Sequence, residues 1–204
     1  MRTGILGGTF DPIHIAHLHT AECALHQLDL DRVLVVPAGD PWQKSGRFIS
    51  PAADRVEMCR LAVADVDEIT VDTREAVREG PTFTVDTLAT FPADEELFLI
   101  LGADAAAGLA TWHRWREVVE RVTVAVAPRP GAAALPAGLP SVEQVEMGLL
   151  EVSGTEIRER VRTGRPYRYL VTEPVHEYIE SHGLYAEPAE EDMVMRLRGL
   201  EDPP

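Results

Sequence analysis

Short apolar stretches alternate along the chain with longer segments in which apolar side chains recur every three or four positions. The first kind is typical of buried β-strands and the second of amphipathic helices. Such alternation indicates βαβ units and predicts an α/β fold, a Rossmann-like parallel sheet with helices on both faces. The predicted strands lie within residues 3–6, 32–37, 68–73, 97–104 and 122–127, and the predicted helices within 15–28, 51–65, 84–91 and 112–122. Pro51 suits the first turn of one helix and Thr84 is expected to cap another.

The pattern changes after residue 127. Residues 128–141 are rich in Pro, Gly and Ala, which predicts a flexible connection and not a domain boundary, because a strand-like segment at 149–153 and two helical patterns follow. We therefore expect one domain over residues 1–186, ending in a small helical part. Residues 187–204 are acidic and predict a disordered tail.

Charge and composition exclude some classes of function. The formal net charge is −15, which argues against a nucleic-acid-binding protein, since such proteins normally carry a basic face. The sequence has neither an apolar run of about 20 residues nor a basic, then apolar leader, so we expect a cytoplasmic protein with no membrane partner. Cys23 and Cys59 both lie in helical patterns and are expected to be buried free thiols.

The segment GGTFDPIHIAH, from Gly7 to His17, lies where the first strand gives way to the first helix. Gly7 and Gly8 allow a tight turn and close approach of a ligand to the backbone. The helix that follows offers unpaired N–H groups and the positive end of its dipole, so the junction predicts an anion site. His14 and His17, three residues apart, are expected to face the same anion. The spacing fits neither a dinucleotide fingerprint nor a P-loop.

Two simpler interpretations remain open for this segment. Glycines and Asp-Pro pairs are common in the turns that connect secondary-structure elements, and taken alone they require no ligand. The two histidines are also zinc ligands in many proteins, but a zinc site needs three or four ligands and no further His or Cys pair has suitable spacing. The coincidence of a turn, a helix start and paired imidazoles favours phosphate chemistry.

This first motif resembles the signature of the nucleotidylyltransferase superfamily. Five later segments are similar to those of the bacterial nicotinate-nucleotide adenylyltransferase family, in the same order: VPAGDPWQK (36–44), PTFTVDTL (81–88), LILGADA (99–105) with TWHRW (111–115), VSGTEIRERV (152–161) and YLVTEPVHEYIESHGLY (169–185). The resemblance implies the nucleotidylyltransferase type of the fold. It also implies transfer of an adenylyl group from ATP to nicotinate mononucleotide in NAD biosynthesis, with release of pyrophosphate.

The resemblance also implies roles for particular residues. The residues with a catalytic role would be His14, His17, Lys44 and Arg158. The ATP site would comprise Gly7, Gly8, Thr9, Phe10, Gly102, Asp104, Ser153, Thr155 and Ile157. Residue type alone allows Ser153 and Thr155 to be plain helix caps.

The acceptor site implied by the resemblance comprises Thr84, Trp112, Asp11 and Trp42. Asp11 is expected mainly to shape its loop, and by residue type alone a tryptophan such as Trp112 belongs more often to the core. No protein metal site is expected, because magnesium would arrive on the ATP phosphates as the one cofactor. The expected partners are the two small-molecule substrates, and a homo-oligomer is possible.

Three residues depart from the family pattern. Ala16 replaces a common Gly, which should narrow the space near the phosphates by a methyl group, Gln43 replaces a His, and Thr172 a Pro. Three alternatives remain: nicotinamide mononucleotide as acceptor, phosphopantetheine as acceptor, or a nucleotide-binding sensor without turnover. The last should lack His14, His17 or Arg158, and all three are present.

Overall fold

The computed structural model describes residues 1–39, 49–128, 134–136 and 138–186. Within these residues the chain forms a six-stranded sheet in the order β3-β2-β1-β4-β5-β6, and every pairing is parallel. The strands are β1 (Arg2–Gly8), β2 (Arg32–Pro37), β3 (Ile69–Val71), β4 (Glu96–Gly102), β5 (Thr123–Ala127) and β6 (Val142–Gln144).

Seven α-helices connect or follow these strands in the described residues. They are α1 (Ile15–Gln27), α2 (Ala52–Val63), α3 (Thr84–Leu88), α4 (Ala103–Ala107), α5 (Trp115–Arg121), α6 (Gly154–Arg162) and α7 (Glu173–Ser181). Single 3-10 turns occupy Leu109–Thr111 and Arg168–Leu170. The short helix α4 and these turns were not predicted, because none of them lies in a longer helical pattern of the kind that marked α3 within 84–91.

The core lies in two layers, one on each face of the sheet. Because side chains alternate along a strand, neighbours such as Leu34 and Val35 belong to opposite layers. Helices α1, α2, α6 and α7 cover one face, and α3, α4 and α5 cover the other. The predicted α/β fold with helices on both faces is therefore confirmed, and α7 packs against α2 as part of the small C-terminal helical region.

Two expectations about individual elements were wrong. Residues 149–153 form no strand; the sixth strand is Val142–Gln144, which pairs with β5 at the sheet edge. Leu149 and Leu150 remain exposed, so their apolar character does not report burial in the sheet. Thr84 is the first residue of α3 and not its cap, since Phe83 occupies the cap position.

The two cysteines are free thiols, as predicted. Cys59 is also buried as predicted, whereas the expectation that Cys23 is buried was wrong, because this residue is only half-buried. None of the helices in the described ranges has the length and apolar character needed to cross a membrane.

Candidate functional site

The loop between β1 and α1 turns at a different place from the one predicted. Gly7 and Gly8 remain in β1, whereas the left-handed residue is Phe10, with φ of 51°, and the Asp11–Pro12 peptide bond is cis. Gly8 is nevertheless required by packing, because a Cβ atom there would come within 2.8 Å of the Phe10 ring. Gly8 therefore makes room for the turn that follows it, whereas a Cβ atom at Gly7 would meet no atom within 4 Å.

Asp11 holds this loop in place through three contacts. The Tyr185 hydroxyl donates to Asp11 Oδ1 at 2.7 Å, and the Ser50 N–H donates to Oδ2 at 3.3 Å. Arg158 Nη1 donates to the Asp11 carbonyl oxygen at 2.6 Å. Both carboxylate oxygens are thus engaged within the protein, as expected of a loop-shaping residue. Burial, and next the Asp11 charge, raise the pKa of Tyr185, so its hydroxyl stays protonated and donates.

His14 and His17 stack on each other at the start of α1. Their ring centroids are 3.7 Å apart with an interplanar angle of 24°, and His14 occupies the N-cap position. The His14 backbone N–H donates to His17 Nδ1 at 3.3 Å. A ring nitrogen that accepts a hydrogen bond carries no proton in the neutral ring, so this contact places the proton of neutral His17 on Nε2.

His14 is uncharged near neutral pH. Its side chain is buried, and this burial lowers the pKa of His14 to about 4. His14 Nδ1 has no hydrogen-bond partner among the described residues. An unsatisfied buried polar group costs about 1–3 kcal/mol, so a ligand that supplies a partner would bind more favourably.

Helix α6 brings a second N-terminus to the same place. Ser153 caps this helix by accepting a hydrogen bond from the Glu156 N–H at 3.2 Å, whereas Thr155 makes no cap and accepts from Arg158 Nη2 at 3.3 Å. A Cβ atom on Gly154 would lie 2.8 Å from the Asp11 carbonyl oxygen. The glycine therefore allows the start of α6 to pack directly against the β1–α1 loop.

The first cavity, of about 690 Å³, is lined by both helix N-termini. Because helix N-termini carry partial positive charge, the cavity suits anionic groups. Ala16, where a family glycine is common, also lines it. The candidate residues among its lining are Thr9, Phe10, Asp11, His14, His17, Gly102, Asp104, Ser153, Thr155 and Arg158.

The second cavity, of about 360 Å³, adjoins the first. Thr9, His17 and Ala105 line both and form a shared wall. Its other candidate residues are Gly7, Gly8, Thr84 and Trp112, and the half-buried indole of Trp112 gives it a flat aromatic surface. Glu75 also lines it, and burial raises the pKa of this carboxyl group although the Thr87 hydroxyl donates to it at 2.6 Å.

Several candidate residues line a different cavity from most of those predicted to bind the same substrate. Gly7 and Gly8, assigned to ATP, line the second cavity, while Asp11, assigned to the acceptor, lines the first. The Ile157 side chain is fully buried in the core and its N–H donates to the Ser153 carbonyl, so Ile157 offers neither group to a ligand. Trp42, Gln43 and Lys44 lie outside the described residues.

Arg55 and Tyr185 make hydrogen bonds to the β1–α1 loop that were not predicted from the sequence. Arg55 is 1% exposed, although it is an arginine in the apolar pattern of α2 beside Met58 and Cys59. A charged residue on the buried face of a helix was the signal that could have identified it. Tyr185 was noticed only as part of a motif, since nothing in the sequence shows that it reaches Asp11.

No group of three or more His, Cys, Asp or Glu side chains suited to a metal ion occurs in the described part of the chain.

Comparison with known proteins gives consistent results. Residues 5–160 match the model of the cytidylyltransferase-like family. A protein of Acidothermus cellulolyticus named probable nicotinate-nucleotide adenylyltransferase is 42% identical over 195 residues, covering 90% of this chain and 94% of its own. A protein of the same name from Corynebacterium kroppenstedtii is 43% identical over 192 residues, covering 90% of each chain.

Solved structures show the same fold at lower identity. Nicotinic acid mononucleotide adenylyltransferase of Plasmodium falciparum, in complex with NaAD, superposes with a TM-score of 0.75 at 16% identity, covering 90% of this chain and 97% of its own. Its complex with APC gives a TM-score of 0.73 at 16% identity, covering 90% and 96%.

Proposed function

Because this chain belongs to the cytidylyltransferase-like family, we propose that it transfers the adenylyl group of ATP to nicotinate mononucleotide, giving nicotinate adenine dinucleotide and pyrophosphate. The observation that carries the proposal is the pair of adjoining cavities with a shared wall at Thr9, His17 and Ala105. One cavity would hold ATP and the other the acceptor nucleotide, so that their phosphates meet at that wall.

The reaction needs alignment and charge stabilisation but no general base. The acceptor's phosphate monoester has a second pKa near 6 and is mostly ionised at neutral pH. One of its oxygens attacks the α-phosphorus of ATP, and the bond from that phosphorus to the bridging oxygen breaks as pyrophosphate leaves with the electron pair. The protein must hold two anions in line and stabilise charge on the transferring group.

The described side chains suit these tasks. His17 would donate from Nε2 at the shared wall, and neutral His14 would contribute a ring N–H but no net charge. Positive potential would therefore come from the N-termini of α1 and α6 and from Arg158. We also propose that Lys44 contacts the phosphates and that Gly102 and Asp104 contact the adenosine part of ATP.

Magnesium would enter as the MgATP substrate, reducing repulsion between phosphate oxygens. The second cavity would bind the acceptor's pyridine ring against Trp112, with hydrogen-bond donors around Thr84 for its carboxylate. We place the reaction in the cytoplasm, where ATP is available, with no nucleic acid involved.

The direct test is an assay of product formation. The purified protein, supplied with ATP, magnesium and nicotinate mononucleotide, should release pyrophosphate and form nicotinate adenine dinucleotide in equal amounts. Nicotinamide mononucleotide and phosphopantetheine, assayed in parallel, should give lower kcat/KM. A preference for either would replace the proposed acceptor, and ATP binding without any pyrophosphate release would show a sensor.

A further inference from the structure

Arg55 makes an unusual set of hydrogen bonds for a buried cation. Its Nε donates to the Ser50 carbonyl at 3.0 Å, and its Nη1 donates to the carbonyls of Thr9 and Ala38 at 2.8 and 2.7 Å. Its Nη2 donates to the Gly39 carbonyl at 3.0 Å. Backbone oxygens from three separate stretches of chain therefore converge on one guanidinium group.

These partners belong to both cavities. Thr9 lies in the wall that the cavities share, and Ala38 lines the second cavity. Ser50 in turn donates its N–H to Asp11, which anchors the rest of the β1–α1 loop. Arg55 thus connects the end of β2 to the loop that lines the first cavity.

Packing alone does not explain an arginine at this position. Its neighbours in the same layer, Met58 and Cys59, are fully buried apolar side chains on the same helix. Burial lowers the pKa of Arg55, while the nearby Asp11 charge acts in the opposite direction. Burying a charge is costly unless it is hydrogen-bonded, so the four carbonyl contacts compensate for a charge that the core itself does not require.

We propose that Arg55 is a positioning residue for adenylyl transfer, which fixes Thr9 at the shared wall relative to Ala38 and Gly39, the two residues that follow β2. The inference rests on the function proposed above. Its role is to set the distance between the two bound phosphates, and it touches neither substrate.

The consequence for kinetics follows from the chemistry. In-line displacement depends on alignment, and a misplacement of about 1 Å can cost roughly 100-fold in rate. Each cavity retains its other lining residues, so binding of each separate substrate is affected less. Loss of Arg55 should therefore lower kcat much more than it raises either KM.

The test compares Arg55→Lys and Arg55→Gln with a control. Lysine keeps the charge but carries all its donors on one nitrogen. It therefore cannot reach the four carbonyls that the three nitrogens of the planar guanidinium group contact. The control is Val63→Ala, a cavity-forming change at the far end of the same helix, where Val63 is 8% exposed. We measure kcat, both KM values and the unfolding temperature of each variant, at a temperature where each is folded.

Arg55→Lys should lower kcat by about 10- to 100-fold and change each KM by less than about threefold. Val63→Ala should lower the unfolding temperature and leave kcat unchanged. An Arg55→Lys variant that is folded and keeps kcat within threefold of the unsubstituted protein would overturn the inference. So would a change confined to KM.

If neither Arg55 variant folds, the unsubstituted protein provides the test. The NMR resonance of the Arg55 Nε–H should shift when a non-hydrolysable ATP analogue and nicotinate mononucleotide saturate the site together, and no shift would overturn the inference. The kinetic assay of the unsubstituted protein distinguishes a failure of this inference from a failure of the proposed function. If it forms no dinucleotide, the function itself is wrong, whatever Arg55 does.

Discussion

At the residue scale, the two stacked imidazoles have different environments and should behave differently. His17 is half-buried at the wall between the cavities, with its backbone contact favouring the Nε2 proton. His14 is buried and uncharged near neutral pH. A sequence shows two histidines three apart, but only their burial distinguishes the two.

His17→Ala should lower kcat about 100-fold, as expected when one donor to the transition state is removed. The fold should be unaffected, because His17 is not part of the buried core. His26→Ala is the matched control, since His26 is exposed near the other end of the same helix. Steady-state kinetics and circular dichroism provide the comparison, and a loss below threefold for His17→Ala would contradict the assigned role.

His14 should make stability depend on pH in a defined window. Its folded-state pKa of about 4 lies below the unfolded value of 6.5, so the unfolded state binds more protons between these two values. The stability from neutral His14 is present above pH 6.5 and is lost as pH falls towards 4. Between pH 7 and pH 5 the loss is about 2 kcal/mol.

Urea denaturation at pH 7 and pH 5 measures this effect when the unsubstituted protein is compared with His14→Asn. The variant has no titrating ring at this position and should lose about 2 kcal/mol less over the interval, although other groups titrate in both proteins. Equal losses in the two proteins would show that His14 does not titrate as its burial implies.

The limits of sequence-based prediction are clearest for individual contacts. The helix start near His14 follows from local chemistry, and the structure has a helix N-terminus there, while the anion site at this junction stays a prediction. The contacts from Arg55 to Thr9 and from Tyr185 to Asp11 cross 46 and 174 residues. No local pattern encodes such distances, so these supporting residues were missed.

At the element scale, the strands with strong apolar runs were predicted well. Residues 32–37 were expected to form a strand and do so as Arg32–Pro37. The last strand was misplaced because β6 is short and largely exposed, so it has no apolar run that would reveal it. Its pairing with β5 makes it a strand. The apolar residues at 149–150 border the first cavity instead.

The close approach of α6 to the β1–α1 loop gives a prediction at this scale. Gly154→Ala would favour the helix by up to about 1 kcal/mol from propensity alone. The added Cβ atom would nevertheless lie 2.8 Å from the Asp11 carbonyl oxygen, which is too close for either backbone to remain in place. We expect kcat/KM for ATP to fall at least about tenfold as the α6 terminus moves from the phosphates.

Glu159→Ala, on the exposed side of the same helix, is the control and should keep kcat/KM near that of the unsubstituted protein. A crystal structure of Gly154→Ala with an ATP analogue would show the displacement. Unchanged activity would mean that the exact position of α6 does not matter for catalysis.

At the scale of the whole molecule, the site depends on both ends of the described chain. The sheet order places β1 between β2 and β4, and ligands of open α/β sheets bind at the carboxyl ends of strands where the connections diverge. Tyr185, close to the end of the described residues, reaches back to Asp11 in the first loop. The C-terminal helical part therefore supports the site.

Two truncated chains distinguish the contribution of the C-terminal helical part from that of residues 187–204. A chain ending at Ala186 should keep its unfolding temperature and activity, which tests the prediction that the remaining residues are a separate acidic tail. A chain ending at His182 loses the Tyr185 hydrogen bond and should be less stable by about 2 kcal/mol, as expected for a hydrogen bond to a charged group.

Tyr185→Phe removes only the hydroxyl, in a chain that is not truncated, and should reproduce most of that loss of stability. Calorimetry of the four proteins gives the comparison, and an unaffected His182 truncation would show that the C-terminal segment contributes no support.

The wall formed by Thr9, His17 and Ala105 also has a consequence for inhibitor design. A single molecule with one nucleoside in each cavity pays the entropic cost of association once. After its first half binds, its second half is present at an effective concentration in the millimolar range. Such a bisubstrate ligand should exceed the affinity of either half by orders of magnitude. The dinucleotide product has this form itself, so it should compete with both substrates, and its departure should limit turnover.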